Sequence, residues 1–170
     1  MENNEIQRYL ENWKDERSSG DLYRTLAEVE KDERLSKIYI KIAAVEDKHA
    51  ARWEEHLKES GTEIPTYRPS FRTRTLKWLA HKMGPDVVLS SIQAMEQGGT
   101  GTYNQQPEAQ EMVADEQSHA KLIQTITRTG VRGGFAGGTL AALEGRHRAG
   151  GGNALRAAVL GANDGLVSNL

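Results

Sequence analysis

Residues 38–53 read IYIKIAAVEDKHAARW, and this stretch puts a carboxylate and an imidazole on the apolar face of a helix. Ile42 and Trp53 recur at helical spacing, and Glu46 and His49 lie between them on the same stripe. A Glu and a His at this spacing lie about one helical turn apart, so both side chains can reach one metal ion. The stretch therefore predicts a buried helix that carries two metal ligands.

A second Glu-x-x-His pair, Glu116 and His119, lies in residues 112–126, which read MVADEQSHAKLIQTI. Apolar residues flank this pair at helical spacing as well. One further acid precedes each pair on another predicted helix. Glu16 falls on the apolar stripe of the first helix, and Glu96 lies on the helix before the second pair. The chain thus repeats one arrangement, a lone Glu followed by a Glu-x-x-His helix.

The spacing about the predicted turns brings the acids of each hairpin to one level. Glu16 and Glu46 are each fifteen residues from Lys31, which lies in the first predicted turn. Glu96 and Glu116 are likewise equally far from the second break. Because each residue adds about 1.5 Å of rise, antiparallel helices place such pairs side by side. Two facing hairpins could then surround one centre.

A tyrosine repeats with the same register in both hairpins. Tyr23 follows Glu16 by seven residues, and Tyr103 follows Glu96 by seven. The sequence leaves two roles open for these tyrosines: hydrogen bonding to ligand carboxylates, or plain packing in the core.

The apolar periodicity predicts an all-α fold, an antiparallel four-helix bundle with one extra short helix between its two hairpins. The long helices are predicted at about residues 6–30 and 35–58, between Pro85 and the break at Pro107, and at about 107–128; the short helix is predicted at 71–83. The third long helix contains Gly98, Gly99 and Gly101, and each lowers helix stability by about 1 kcal/mol relative to alanine.

Other notable side chains receive simpler interpretations. Three tryptophans are predicted to lie in the core: Trp13, Trp53 and Trp78. Three aspartates adjoin the predicted ligands but are expected to point elsewhere on their helices: Asp15, Asp47 and Asp115. The remaining histidines are interpreted as ordinary residues, with a surface or supporting position for the first of them: His56, His81 and His147.

The residue types fit a dinuclear metal centre with Glu46 and Glu116 as bridging carboxylates. Four carboxylates offset much of the charge of two divalent ions, and mixed oxygen and nitrogen ligands suit iron or manganese. Burying four acids without a metal would be costly. The predicted ligands are Glu16, Glu46, His49, Glu96, Glu116 and His119.

Composition excludes several other classes of protein. The formal net charge of −2 gives no bulk attraction to nucleic acid, so no nucleic-acid partner is expected. The chain has no Cys, which excludes disulfides, thiol nucleophiles and Cys-based zinc sites. Its N-terminus is polar and acidic, unlike a secretory signal, and no uninterrupted apolar run reaches membrane-spanning length.

The order Glu16, Glu46-x-x-His49, Glu96, Glu116-x-x-His119 resembles the ferritin-like, rubrerythrin-type di-iron domain, here over residues 1–129. The resemblance implies two iron ions, with Mn(II) as an alternative, held by the six predicted ligands as the catalytic residues. It also implies oxidation of Fe(II) by oxygen or peroxide. Two departures stand out. The Cys-rich electron-delivering module of rubrerythrins is absent, and Gly99 stands where they carry an extra Glu.

The C-terminal part supplies a second resemblance. Residues 130–153 are rich in glycine and are predicted to form a linker. Residues 154–170 resemble the start of the first transmembrane helix of the vacuolar iron transporter family, whose motif matches GANDGLVS at 161–168 and places Asp164 on the metal path. The two parts together resemble the bacterial membrane-bound ferritins, in which such a transporter follows the di-iron domain.

This second resemblance implies a homodimer attached to the membrane through a transporter domain. It implies a location on the cytoplasmic side of the bacterial inner membrane for the full-length protein, with this chain as its soluble N-terminal portion, which ends inside the first membrane helix. Arg146, Arg148 and Arg156 near the membrane entry favour a cytoplasmic N-terminal side.

The sequence therefore predicts a domain that binds and oxidises Fe(II) and serves a fused iron or manganese exporter. Three alternatives remain open at this stage. They are a rubrerythrin-like enzyme that reduces peroxide, an iron-sensing domain without redox turnover, and a purely structural helical bundle.

Overall fold

The computed structural model describes residues 3–129, and all regular structure within that range is helical. The helices are α1 (Asn3–Val29), α2 (Glu33–Glu59), α3 (Phe71–Met83), α4 (Asp86–Tyr103) and α5 (Gln110–Thr129), with a 3₁₀ turn at Pro107–Ala109 before α5. The all-α prediction and the short helix at 71–83 are confirmed. The linker predicted at 130–153, the membrane segment predicted at 154–170 and Asp164 lie outside the described residues.

The helices pack as two hairpins. The short connection at 30–32 makes α1 and α2 antiparallel neighbours that contact each other extensively, and α4 and α5 form the second hairpin. Asp32 caps the start of α2 by accepting a hydrogen bond from the Arg34 amide (2.8 Å). The Ser36 hydroxyl closes the turn by donating to the Ala27 carbonyl (2.8 Å). The predicted turn around Lys31 is thereby confirmed.

Polar contacts join one hairpin to the other near the second turn. The Asn12 side-chain amide on α1 donates to the Gln106 side-chain oxygen (2.8 Å), and both residues are buried. Arg8 forms an ion pair with Glu108 in the same region. These contacts fix the start of α1 against the connection between α4 and α5.

The short helix α3 lies on the outside of the bundle, against α1 and α4. Ser70 caps its first turn, and Gly84 ends it at φ 92°, where a side chain would be strained. Only one face of α3 is buried, through Leu76 and Ala80 together with Thr73. The prediction that Trp78 is a core residue is wrong: it is 58% exposed, because residues two positions apart on a helix face different sides.

The core consists of two apolar clusters with polar residues between them. One cluster includes Leu22, Tyr23, Tyr39, Ile42, Ile92 and Ile123; the other includes Tyr9, Trp13, Trp53, Tyr103 and Met112. The core positions predicted for Trp13 and Trp53 are confirmed. Along each long helix, the predicted metal ligands come between members of the two clusters. None of the described helices has the length and apolar character needed to cross a membrane.

Candidate metal centre

All six predicted ligands lie in the interior, at the level where the apolar stripes of four helices are interrupted. None exposes more than 5% of its surface. The helix α1 contributes Glu16, α2 contributes Glu46 and His49, α4 contributes Glu96, and α5 contributes Glu116 and His119. The four helices therefore direct four carboxyl groups and two imidazoles into one dry region.

The six side chains form two overlapping groups, each compact enough to hold a metal ion. Within each group, one ligand atom per residue lies within 4.8 Å of the others. The first group is Glu16, Glu46, His49 and Glu116; the second is Glu46, Glu96, Glu116 and His119. Glu46 and Glu116 belong to both groups, which is the position that a pair of bridging carboxylates requires.

The inward-facing atoms of these residues fit a bound cation better than they fit one another. Both Glu46 oxygens, one oxygen each of Glu96 and Glu116, and the Nδ1 atoms of both histidines have no hydrogen-bond partner among residues 3–129. His119 Nδ1 lies 2.8 Å from Glu46 Oε1 but is not aligned for a hydrogen bond. Such buried, unpaired polar atoms cost free energy that metal coordination would recover.

Burial and close contact shift the pKa values of the acids in this centre. Burial raises the pKa of the Glu16 carboxyl to about 8, and burial together with the nearby Glu46 charge raises the pKa of Glu116 well above its usual value. Burial also opposes ionisation of Glu46, but the adjacent His119 imidazole lowers the pKa of Glu46 well below its usual value.

The two imidazoles are held in their protonated form by the surrounding acids. Burial by itself lowers the pKa of each, but contacts with Asp115 and Glu116 outweigh it and raise the pKa of His49. The Glu46 charge does the same for His119. A metal ion bound by these nitrogens would have to displace their protons, which would couple metal affinity to pH.

Both tyrosines singled out by the repeat donate hydrogen bonds to predicted ligands, and each bonds the Glu of the opposite hairpin. The Tyr23 hydroxyl on α1 donates to Glu96 Oε1 on α4 (2.8 Å). The Tyr103 hydroxyl on α4 donates to Glu16 Oε1 on α1. Both rings also belong to the apolar clusters. Each tyrosine thus orients one carboxylate and ties the hairpins together.

Asp115 is a site residue that the sequence interpretation placed wrongly. Its Oδ2 lies 3.3 Å from His49 Nε2, and the side chain is one-third exposed. His49 Nδ1 points the other way, 3.4 Å from Glu116 and 3.6 Å from Glu16. Asp115 can therefore fix the ring orientation of His49 from outside the centre. The sequence feature that could have indicated this role is the acid immediately before Glu116. The first Glu-x-x-His pair has Val45 at the matching position, so the acid is particular to the second pair.

Two glycines make room for the shared carboxylates. A Cβ added at Gly99 would lie 3.0 Å from Glu116 Oε2, and one at Gly20 would lie 3.4 Å from the Cβ of Glu46. The helix α4 continues through Gly99 despite the low helix propensity of glycine. The Glu116 side chain therefore fills the space that a side chain at position 99 would need.

The other predicted side chains lie outside the centre. Asp15 is exposed, and Asp47 pairs with Arg17 and Arg24 on α1. His56 stacks on Tyr9 at a ring-centroid distance of 5.2 Å. His81 is on the surface, 3.8 Å from Glu28, and His147 lies beyond the described residues.

Comparison with protein-family models, with curated proteins and with solved structures gave no match to this chain. What defines the class of site is therefore its own geometry: a helical bundle whose buried Glu and His groups could hold metal.

Proposed function

We propose that residues 3–129 form a ferritin-like domain that binds two iron ions and oxidises Fe(II) with oxygen or peroxide. The observation that carries this proposal is the pair of overlapping ligand groups that share Glu46 and Glu116. A purely structural bundle would leave six inward-facing polar atoms unpaired, which is unfavourable in a protein interior.

The donor set supports iron or manganese rather than softer metals. Four carboxylates and two imidazoles give each ion mostly oxygen ligands, and Cys, the usual soft ligand, is absent from the chain. The four acids can balance the charge of two divalent ions. Fe(II), when bound, supplies the electrons that reduce oxygen or peroxide.

The protein groups bind the ions, orient the ligands and exclude water. Glu16 and His49 would complete one metal position, and Glu96 and His119 the other. The Tyr103 and Tyr23 hydroxyls hold one oxygen of Glu16 and of Glu96, respectively. The apolar clusters above and below the site keep bulk water away, which strengthens each electrostatic contact.

The link to metal export is a separate part of the proposal. It rests on the resemblance of residues 154–170 to the start of a vacuolar iron transporter helix, with Asp164 on the metal path. In that arrangement the di-iron domain captures Fe(II) and serves a fused iron or manganese exporter, as a homodimer at the cytoplasmic face of the membrane.

Anaerobic Fe(II) titration followed by oxygen addition tests the metal site. We expect two irons per domain and a stoichiometric burst of oxygen consumption. The double variant Glu46→Ala/Glu116→Ala should stay helical by circular dichroism yet lose dinuclear binding. Glu111→Ala, an exposed acid on the same helix as Glu116, is the matched control and should bind normally. Two irons bound by the double variant would refute the site.

A peroxide assay, together with the oxygen measurement, separates the alternatives. Sustained, rapid peroxide turnover with an added electron donor would identify a peroxide-reducing enzyme. Saturable Fe(II) binding with no oxygen or peroxide consumed would identify a sensing domain.

A further inference from the structure

A series of aromatic rings in contact leads from the centre toward the surface. Tyr103 donates its hydroxyl hydrogen bond to Glu16, and its ring centroid lies 5.8 Å from that of Trp53. Trp53 stacks on Tyr9 at 5.5 Å. His56 lies beside both of these rings, at 5.7 and 5.2 Å. These separations are within the range of direct aromatic contact.

The series ends where solvent can reach it. Trp53 is fully buried, Tyr9 retains 7% exposure, and the His56 side chain is one-quarter exposed. The partly exposed Arg8 guanidinium lies over the outer Tyr9 ring, 5.3 Å from its centroid. A buried ligand carboxylate is thus connected through three rings to the edge of the bundle.

The corresponding series in the other half ends inside the protein. Tyr23 hydrogen-bonds Glu96 and stacks on Tyr39 at 6.3 Å. Tyr39 is fully buried, and its hydroxyl has no hydrogen-bond partner among residues 3–129. The two halves therefore begin alike, with a tyrosine on a predicted ligand carboxylate, but within residues 3–129 only the Tyr103 half reaches the surface.

The chemistry of a partly loaded centre gives such a series a use. Reduction of hydrogen peroxide to water takes two electrons, which two Fe(II) ions can supply. One Fe(II) supplies only one of them. Tyrosine and tryptophan are the side chains that give up one electron most readily in a chain without Cys.

We propose that Tyr103, Trp53 and Tyr9 form a one-electron path that supplies the missing electron and places the resulting radical at the protein edge. This inference rests on the proposed iron oxidation. One peroxide, one Fe(II), the Tyr9 phenol and one proton give two waters, one Fe(III) and a neutral Tyr9 phenoxyl radical. The electron moves from Tyr9 through Trp53 and Tyr103 to the centre. The phenolic proton of Tyr9 passes to solvent, which supplies the two protons taken up with peroxide.

The test is electron paramagnetic resonance on the protein loaded anaerobically with one Fe(II) per domain, mixed with one equivalent of hydrogen peroxide and freeze-quenched. We expect the signal of a Tyr9 radical in the unaltered protein. In Tyr9→Phe, which removes only one hydroxyl group, that signal should be lost or replaced by a different one from Trp53 or Tyr103. Trp53→Phe should also lose the Tyr9 signal, whereas Trp53→Tyr, which keeps an oxidisable ring, should retain it. Tyr39→Phe is the matched control from the closed half and should leave the signal unchanged.

Iron binding distinguishes failure of the path from failure of the site. Tyr9→Phe and Trp53→Phe should still bind two irons per domain, because neither side chain contributes a predicted ligand. A normal iron stoichiometry without any aromatic radical in the unaltered protein would overturn the path alone. A radical whose yield and line shape are the same in Tyr9→Phe, Trp53→Phe and Tyr39→Phe would also overturn it. Absence of iron binding would overturn both proposals.

Discussion

Gly99→Ala should separate helix stability from metal binding. In helix α4, replacing glycine by alanine raises the free energy of unfolding by up to about 1 kcal/mol through helix propensity and loss of unfolded-state entropy. That gain corresponds to a rise of roughly 4 °C in melting temperature for a domain of this size. The added Cβ, however, would lie 3.0 Å from Glu116 Oε2. In the metal-free protein the carboxylate can move aside, so most of the gain should remain.

With metal bound, Glu116 loses that freedom if it bridges two ions. Disturbing one contact around a metal ligand typically costs about 10- to 100-fold in affinity. At a metal concentration well above the dissociation constant, this loss removes about 1.4 to 2.7 kcal/mol of metal-dependent stabilisation. Gly99→Ala should therefore melt above the unaltered protein without metal and below it with metal.

The assay is thermal unfolding followed by circular dichroism, with and without Mn(II), which binds without turnover. Gly98→Ala is the control, because a Cβ there meets no atom of the described residues within 4 Å apart from its chain neighbours and the adjacent backbone of its own helix. It should melt higher under both conditions. If Gly99→Ala matches Gly98→Ala in both the metal-free and the Mn(II)-bound state, then Glu116 is not held by metal at this position and the reasoning fails.

Two further predictions concern residues that the sequence interpretation placed wrongly. Asp115→Asn should weaken metal binding at one of the two proposed positions by about 10- to 100-fold, because His49 loses its charged partner. Asp115→Glu, which keeps the charge, should show part of the original affinity. Calorimetric Mn(II) titration is the measurement, and two unchanged affinities in Asp115→Asn would contradict an orienting role for Asp115. Trp78→Ala should change the free energy of unfolding by no more than about 0.5 kcal/mol, whereas Trp53→Ala should cost about 3 to 5 kcal/mol. If urea titrations gave Trp78→Ala and Trp53→Ala equal losses of unfolding free energy, the outer face of α3 would have to be covered in solution.

The features that the sequence predicted well are those set by local pattern. The 3.6-residue apolar period fixed four long helices to within a few residues, because burial of one face dominates their stability. Equal spacing of Glu16 and Glu46 about the first turn placed them at one level, because a short connection leaves antiparallel helices little freedom to slide. The same holds for Glu96 and Glu116 in the second hairpin, and packing of the two hairpins against each other then brings the six predicted ligands together.

What the sequence did not reveal depends on how the helices are rotated and arranged about one another. Tyr23 hydrogen-bonds Glu96 rather than a carboxylate of its own hairpin. The spacing of residues within one hairpin cannot predict a contact with the other hairpin. Asp115 reaches His49 because α5 turns that position toward α2. Trp78 is exposed because α3 packs outside the bundle, where a single buried face suffices.

Two departures from two-fold symmetry bear on the same half of the centre. Asp115 contacts His49, and the aromatic series that reaches the surface begins at Tyr103 on Glu16. Glu16 and His49 belong to one ligand group, which Glu96 and His119 do not share. In the other half, Val45 takes the position equivalent to Asp115, and the aromatic contact that begins at Tyr23 ends at the buried Tyr39. The two ligand groups therefore differ in their surroundings although their residue types match: only the group with Glu16 and His49 combines an imidazole oriented by a partly exposed acid with a ring path to the edge of the bundle. Under the proposed iron oxidation, electron and proton exchange with solvent should favour that group, and the second group should act mainly to bind the partner ion.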